Sequence, residues 1–379
     1  MELSSLNPEQ RQAVRTVDGP LLILAGAGTG KTRVITSRVA YMISRGIRPR
    51  NILAVTFTNK AAREMKERVK SLVPKRRLVG EDGQTEKPTI CTFHSLCVRI
   101  LRRHITKLGY KKNFVIYDAT EQLGVVRRIL SQISLGSKKP DPYAVLSLIS
   151  RWRNSNSDEL IAEDQDLAAL AKRLVATYQQ TLKASNAVDF DDLILLVLRL
   201  FAECPEALDE CRERYRYIMV DEYQDTNNSQ FELVHSLARE HRNFCVVGDD
   251  DQSIYGWRGA EVANLLDLEK HFPEVKVVKL EQNYRSTNSI LEAANAVIKN
   301  NVQRREKKLW SNKGAGEPIT LWEFRDDEEE AQALVEEINF NRSIKKVKWR
   351  EQAILFRTNQ QSRPLETALR KAEVRYNLV

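Results

Sequence analysis

Apolar residues along this chain fall into two alternating textures. Short unbroken runs rich in β-branched residues occur at 20–26, 52–58, 89–92, 217–221, 244–248 and 275–280, and longer stretches with helical spacing separate them. Runs of this kind mark strands covered on both faces, so the pattern predicts buried parallel strands joined by helices, an α/β design. Two regions break the rhythm. From about Leu96 to Arg199 the pattern is almost wholly helical, as in EQLGVVRRILSQISL and DLAALAKRLVATYQQTLKAS, which predicts an inserted helical subdomain. After the last run, 286–301 predicts a helix, and 319–324 and 352–356 predict strands that open a second α/β unit. The last of these strands would lie at an open edge, so the expectation is a piece of a longer protein.

Composition narrows the class. A length of 379 residues suits two or three domains, and 42% hydrophobic with 29% charged residues is globular rather than disordered. No stretch approaches the ~20 apolar residues that span a bilayer. The opening MELSSLNPEQ lacks a charged-then-apolar signal layout, so an intracellular, soluble protein with no membrane partner is expected. Five cysteines without a CxxC pair suggest neither a zinc site nor a disulfide framework. Sixty Lys and Arg against 51 Asp and Glu give a charge of +9, which fits an anionic partner such as nucleic acid.

The sharpest motif is Ala25, Gly26, Ala27, Gly28, Thr29, Gly30, Lys31, Thr32, set between an apolar run and an amphipathic helix. In that context it reads as a phosphate-binding loop for ATP. Its glycines let backbone N–H groups converge on phosphate, Lys31 reaches the β- and γ-phosphates, and the Thr32 hydroxyl is a ligand for Mg²⁺. Ala25 stands where the strict pattern has glycine. The run YIMVDE ends in two carboxylates at the strand end where ligands sit in open α/β sheets. Asp221 is the expected metal partner and Glu222 the base for the attacking water. FCVVGDDDQ ends in the same way, which makes Gln252 a candidate to sense the γ-phosphate or to position the water.

Together and in order, LNPEQ (6–10), AGAGTGKT, TFTNKAA (56–62), TFHSL (92–96), DFDDLI (189–194), VDEYQDTN (220–227), VGDDDQSIYGWRGA (247–260) and QNYRS (282–286) resemble a superfamily 1 DNA helicase of the UvrD/Rep/PcrA group. The resemblance covers nearly the whole chain. It implies a RecA-like P-loop motor domain in two parts, 1–95 and 188–280, a helical insert at 96–187, and a partial second RecA-like domain at 281–379. It places Gln10 in the adenine-contacting motif, Arg33 and Tyr284 beside the adenine ring, and Arg285 as an arginine finger. The implied activity is ATP-dependent 3′-to-5′ translocation on single-stranded DNA, with unwinding at single-strand/duplex junctions in repair or replication. Repair or replication proteins are the implied partners, and the cytoplasm, at the nucleoid, is the implied location.

Aromatic rings stack on unpaired bases regardless of sequence. Phe57, Phe93, Tyr255 and Trp257 follow predicted strands and are candidates for this role. By resemblance their loops line a single-strand track, with Thr56, Thr58, Asn59, His94 and Arg258 at the backbone or coupling it to ATP. The basic stretch VRILRRHITKLGYKK is a candidate for phosphate contact. Three other readings remain open: an ATP-gated DNA-binding module without sustained turnover, the motor part of a helicase–nuclease complex, and an RNA substrate, since stacking does not separate the sugars.

Overall fold

A computed structural model describes residues 3–79, 83–133, 140–154 and 164–379, with Arg258 described by its backbone alone. The chain forms two compact units, Met1–Gly316 and Glu317–Val379. The strands are β1 (Leu21–Ala25), β2 (Ile52–Thr56), β3 (Thr89–Thr92), β4 (Val115–Ile116), β5 (Ala187–Val188), β6 (Tyr217–Val220), β7 (Phe244–Gly248) and β8 (Lys276–Leu280). Six of them make one sheet in the order β3-β2-β6-β7-β1-β8, every neighbouring pair parallel. These are the six apolar runs of the sequence.

Successive strand residues point to opposite faces. Leu22, Leu24, Leu53, Val55, Ile218, Val220 and Val246 join one core, closed by the helices Phe93–His104, Phe190–Glu203 and Asn228–Ala238. Leu21, Ile23, Ile52, Ala54, Met219 and Cys245 join the other, closed by Lys31–Ser44 and Asn59–Leu72. Because both faces are covered, neither tolerates polar side chains, and the runs show no alternation.

The helices Ala119–Ser131, Pro142–Asn154 and Gln165–Ala184 surround a separate core that includes Val126, Ile149, Tyr178 and Leu182. β4 and β5 pair in parallel at their base, Val115 opposite Ala187 and Ile116 opposite Val188. A buried ion pair fastens this insert to the rest. Arg153 binds Asp189 at 2.6 Å and also Asp192, and these two aspartates form the capping box that starts Phe190–Glu203. The Tyr178 hydroxyl donates to Asp189 at 3.1 Å.

The basic stretch that follows β3 is partly paired within the chain. Arg103 pairs with Glu210, Lys107 with Glu206, and the Arg102 guanidinium lies 4.0 Å over the Phe114 ring. Glu210 and Glu206 of the helix Pro205–Arg214 take Arg103 and Lys107, and Arg99 lines a groove.

In the smaller unit Asp327–Ser343 and Ser362–Lys371 pack through Val335, Leu369 and Val374. The strands expected at 319–324 and 352–356 are not strands. Among the described residues no neighbour pairs with them, and Leu321 and Leu355 are exposed. An apolar run becomes a strand only where another strand takes up its N–H and C=O groups. No helix among the described residues is long and apolar enough to cross a membrane.

Candidate functional site

Six parallel strands open their carboxyl ends at one edge of the sheet, where ligands sit in such folds. Fully buried β1 ends at Ala25 and delivers the chain into the glycine loop. Gly28 (φ +70°) and Gly30 (φ +90°) adopt left-handed backbone geometry, and Gly30 precedes the helix Lys31–Ser44. No side chain caps that helix, so its first N–H groups are left for an anion. The loop is braced from inside by Thr29, whose hydroxyl donates to the Gly26 carbonyl at 2.8 Å.

Two segments far away in sequence close around this loop. The Gln10 amide donates to the Thr29 carbonyl at 2.8 Å, while its oxygen accepts the Asn7 N–H in a capping box. Asn283 Nδ2 donates to the Ala27 carbonyl at 2.6 Å, and the Tyr284 N–H donates to the Gly28 carbonyl at 2.9 Å. Gly28 is required here twice over: a Cβ on it would stand 2.6 Å from Asn283 Nδ2 and 2.8 Å from Arg285 Cβ. Arg285 is exposed beside the loop, its N–H held by the Asn283 oxygen at 2.8 Å. The Tyr284 hydroxyl accepts from Asn7 at 3.0 Å, and exposed Arg33 donates to the Ser5 carbonyl at 3.0 Å.

β6 brings the paired carboxylates to the same edge. Lys31 Nζ lies 2.8 Å from Glu222 Oε2. Glu222 has φ +52°, a strained conformation for a residue with a side chain and a frequent mark of functional positions. Asp221 is almost fully buried. Burial, then the neighbouring Glu222 charge, push its carboxyl up to about 7, against the pull of Lys31. Thr32, in the first turn of the helix, and Asp221 offer the hard oxygen ligands that suit Mg²⁺, and a buried carboxylate this reluctant to ionise is one a cation would stabilise.

A pKa raised by folding means the native state holds a proton that the unfolded chain has released. Asp221 therefore withdraws stability as pH climbs from about 4 to 7, and the loss is complete above that window. Asp221→Asn keeps the oxygen that accepts the Glu222 N–H at 3.1 Å and removes the charge. At pH 7.5 in EDTA it is expected to raise Tm, on the order of 5 °C. A melting curve at or below that of the unaltered chain would mean that the burial costs nothing.

Gln224 was not singled out in the sequence, yet it joins two parts of the site. Its Nε2 donates to Glu222 at 3.0 Å and its Oε1 accepts the Asp249 N–H at 3.0 Å. Gln252 donates from Nε2 to the Asp249 carboxylate.

Beyond β2 and β3 the same edge carries aromatic groups. Phe57 precedes Thr58, which caps Asn59–Leu72. Phe93 lies one place later relative to its own cap, Thr92, and opens Phe93–His104. That difference turns it inward. Expected as a base-stacking ring, Phe93 is 1% exposed and supports Phe57 from behind, ring centres 5.4 Å apart. Thr56 is buried at the end of β2. A cleft of about 440 Å³ is lined by Phe57, Asn59, His94, Arg99 and Phe190, and it shares Asn59 and Arg99 with a groove holding Arg63 and Lys66. Phe190, also missed in the sequence, is half exposed and meets His94 edge-on at 5.7 Å. Burial pushes the His94 imidazole below its ordinary range, against Asp191. After β7, Trp257 is 70% exposed, with the Tyr255 ring 6.4 Å away. The Arg258 side chain lies outside the described residues.

Comparison with known proteins meets this geometry from another side. Residues 6–273 match the family model of the UvrD/REP helicase N-terminal domain, and 278–379 match the UvrD-like helicase C-terminal domain. The ATP-dependent DNA helicases PcrA of Staphylococcus aureus and Staphylococcus epidermidis are each 46% identical over the whole chain. The chain spans about half the length of these curated relatives, 51% of each. By both comparisons the chain belongs to the UvrD/REP helicase family.

Proposed function

We propose that this chain is the ATP-hydrolysing motor part of a DNA helicase that moves 3′ to 5′ along single-stranded DNA and separates strands at single-strand/duplex junctions. The observation that carries the reading is the Lys31–Glu222 pair at the carboxyl edge of the sheet, beside buried Asp221. The intended work is DNA repair or replication at the cytoplasmic nucleoid. In this reading 1–95 and 188–280 form the first motor domain, 96–187 its insert, and 281–379 part of the second.

Water attacks the γ-phosphate in line, the bond to the bridging oxygen of ADP breaks, and Glu222 takes the proton from the water. Lys31 and the loop N–H groups hold the phosphates, while Thr32 and Asp221 would hold Mg²⁺, which neutralises phosphate charge when bound. Gln252 orients the water, and Arg285 meets charge that develops in the transition state. Gln10, Arg33 and Tyr284 form the adenine side. Phe57 and Phe190, with Tyr255 and Trp257, stack on bases, while Thr58, Asn59, His94 and Arg258 address the backbone.

Trp257→Ala is expected to weaken oligo-dT binding by about 1–3 kcal/mol, with nucleotide affinity unchanged. A fluorescence-anisotropy titration reads this, and equal affinities would remove Trp257 from the track.

Steady-state ATP hydrolysis with and without oligo-dT, with Lys31→Ala as control, tests the whole reading. Hydrolysis stimulated by DNA and lost in Lys31→Ala is expected. Full activity in Lys31→Ala would overturn the proposal. Nucleotide-dependent DNA affinity with negligible turnover would instead identify an ATP-gated binding module.

A further inference from the structure

The three carboxylates after β7 look like a metal site. Asp249, Asp250 and Asp251 bring oxygens within 4.8 Å of one another, and the first two are buried. The position a cation would take is filled from within the chain. Lys307, itself buried, places Nζ 3.0 Å from Asp249, 2.7 Å from Asp251 and in hydrogen-bond contact with Asp250. Arg304 grips Asp251 with two bonds of 2.9 Å, and the Arg305 N–H donates to Asp250 at 2.6 Å. Burial works against charge on Lys307, but the three aspartates outweigh it and hold its ammonium pKa above the ordinary lysine range. For Asp251, burial is likewise outweighed, here by Arg304 and Lys307, so its carboxyl stays below the usual range.

From this socket an unbroken line of hydrogen bonds runs to the phosphate edge. Asp249 accepts from Lys307 on one oxygen and from Gln252 on the other. The Asp249 N–H donates to Gln224, and Gln224 donates to Glu222. Three adjacent carboxylates cannot stay together in a buried turn without a countercharge. Removing the ammonium would open the turn and release Gln252 and Gln224 together.

We propose that Lys307 is a positioning residue for ATP hydrolysis: its ammonium, seated among Asp249, Asp250 and Asp251, holds Gln252 directly and Glu222 through Gln224 in working geometry. Lys307 meets the three aspartates and acts through Gln252 and Gln224. It acts on turnover rather than on binding, and it lies on the same stretch after β8 as Arg285, so one segment supplies both a transition-state charge and the alignment of the base.

The inference rests on the hydrolysis reading above. Lys307→Met keeps an unbranched apolar stem one atom shorter and removes the charge. With oligo-dT present, its kcat is expected to fall about 100-fold while the KM for ATP stays within about threefold, the mark of misplacement rather than lost binding. Exposed Lys308→Met, next door, is the control and should behave as the unaltered chain. Unchanged kcat, or a loss confined to KM, overturns the proposal. If Lys307→Met does not fold, Lys307→Met combined with Asp250→Asn lowers the uncompensated charge, and the same kcat loss is expected. If the unaltered chain shows no hydrolysis, the earlier reading fails and the positioning is read directly. The side-chain amide resonances of Gln224 and Gln252 in ¹⁵N-labelled protein should move in Lys307→Met and stay in Lys308→Met. Unmoved resonances overturn it.

Discussion

Glu222→Gln is expected to bind ATP at least as tightly as the unaltered chain and to hydrolyse it about 10² to 10⁴ times more slowly. The Lys31–Glu222 distance of 2.8 Å is the reason for both halves. Glu222 occupies the ammonium that phosphate oxygens would need, so nucleotide and carboxylate compete for one cation. A carboxamide keeps an oxygen for Lys31 and for Gln224 but surrenders the charge, and the competition weakens. The same change removes the only function a base has, since an amide oxygen does not hold a proton at neutral pH. The strained backbone at φ +52° suits Gln no worse than Glu. Titration with a fluorescent ATP analogue and steady-state turnover separate the two effects. Turnover close to that of the unaltered chain would mean that another group takes the proton.

Arg285→Ala is expected to reduce DNA-stimulated hydrolysis by about 10³-fold or more, with DNA affinity unchanged. Its backbone is held against the phosphate loop by Asn283, which bonds both the Ala27 carbonyl and the Arg285 N–H. The side chain is exposed beside the loop, where it can meet incoming phosphate. Arg285→Lys should recover little, because a point charge lacks the planar fork that addresses two phosphate oxygens at once. If Arg285→Ala kept its stimulation by oligo-dT, the charge would have to come from elsewhere.

The sheet and the phosphate loop were legible because each rests on local signals: unbroken apolar runs for strands buried on both faces, and glycines at a strand–helix junction. What the sequence hid is what depends on distant partners. Thr56-Phe57 and Thr92-Phe93 look alike as text, yet one ring is offered to the cleft and the other is core. The helix cap falls after the first and before the second. Lys307 lies in QRREKK, which reads as a solvated charged stretch until Asp249, Asp250 and Asp251 are seen around it. Gln224 is one polar residue among many in VDEYQDTN, and only β7 beside β6 gives it a second end to hold. ITLWEF carries apolar residues fit for a strand, but a strand is a property of a pair, and among the described residues none pairs with it.

The parallel pairing of Val115 with Ala187 sets the two ends of the helical part 115–187 of the insert side by side. Such a geometry makes the insert a detachable cassette: a short connection could replace it without moving any strand of the main sheet, and another body could be spliced in its place. One attachment would not transfer. Arg153 leaves with the cassette, whereas Asp189 and Asp192 stay behind at the start of Phe190–Glu203. Any transplant that exchanges the insert must therefore carry its own buried cation or neutralise those two aspartates, which makes this ion pair a compatibility lock between module and motor.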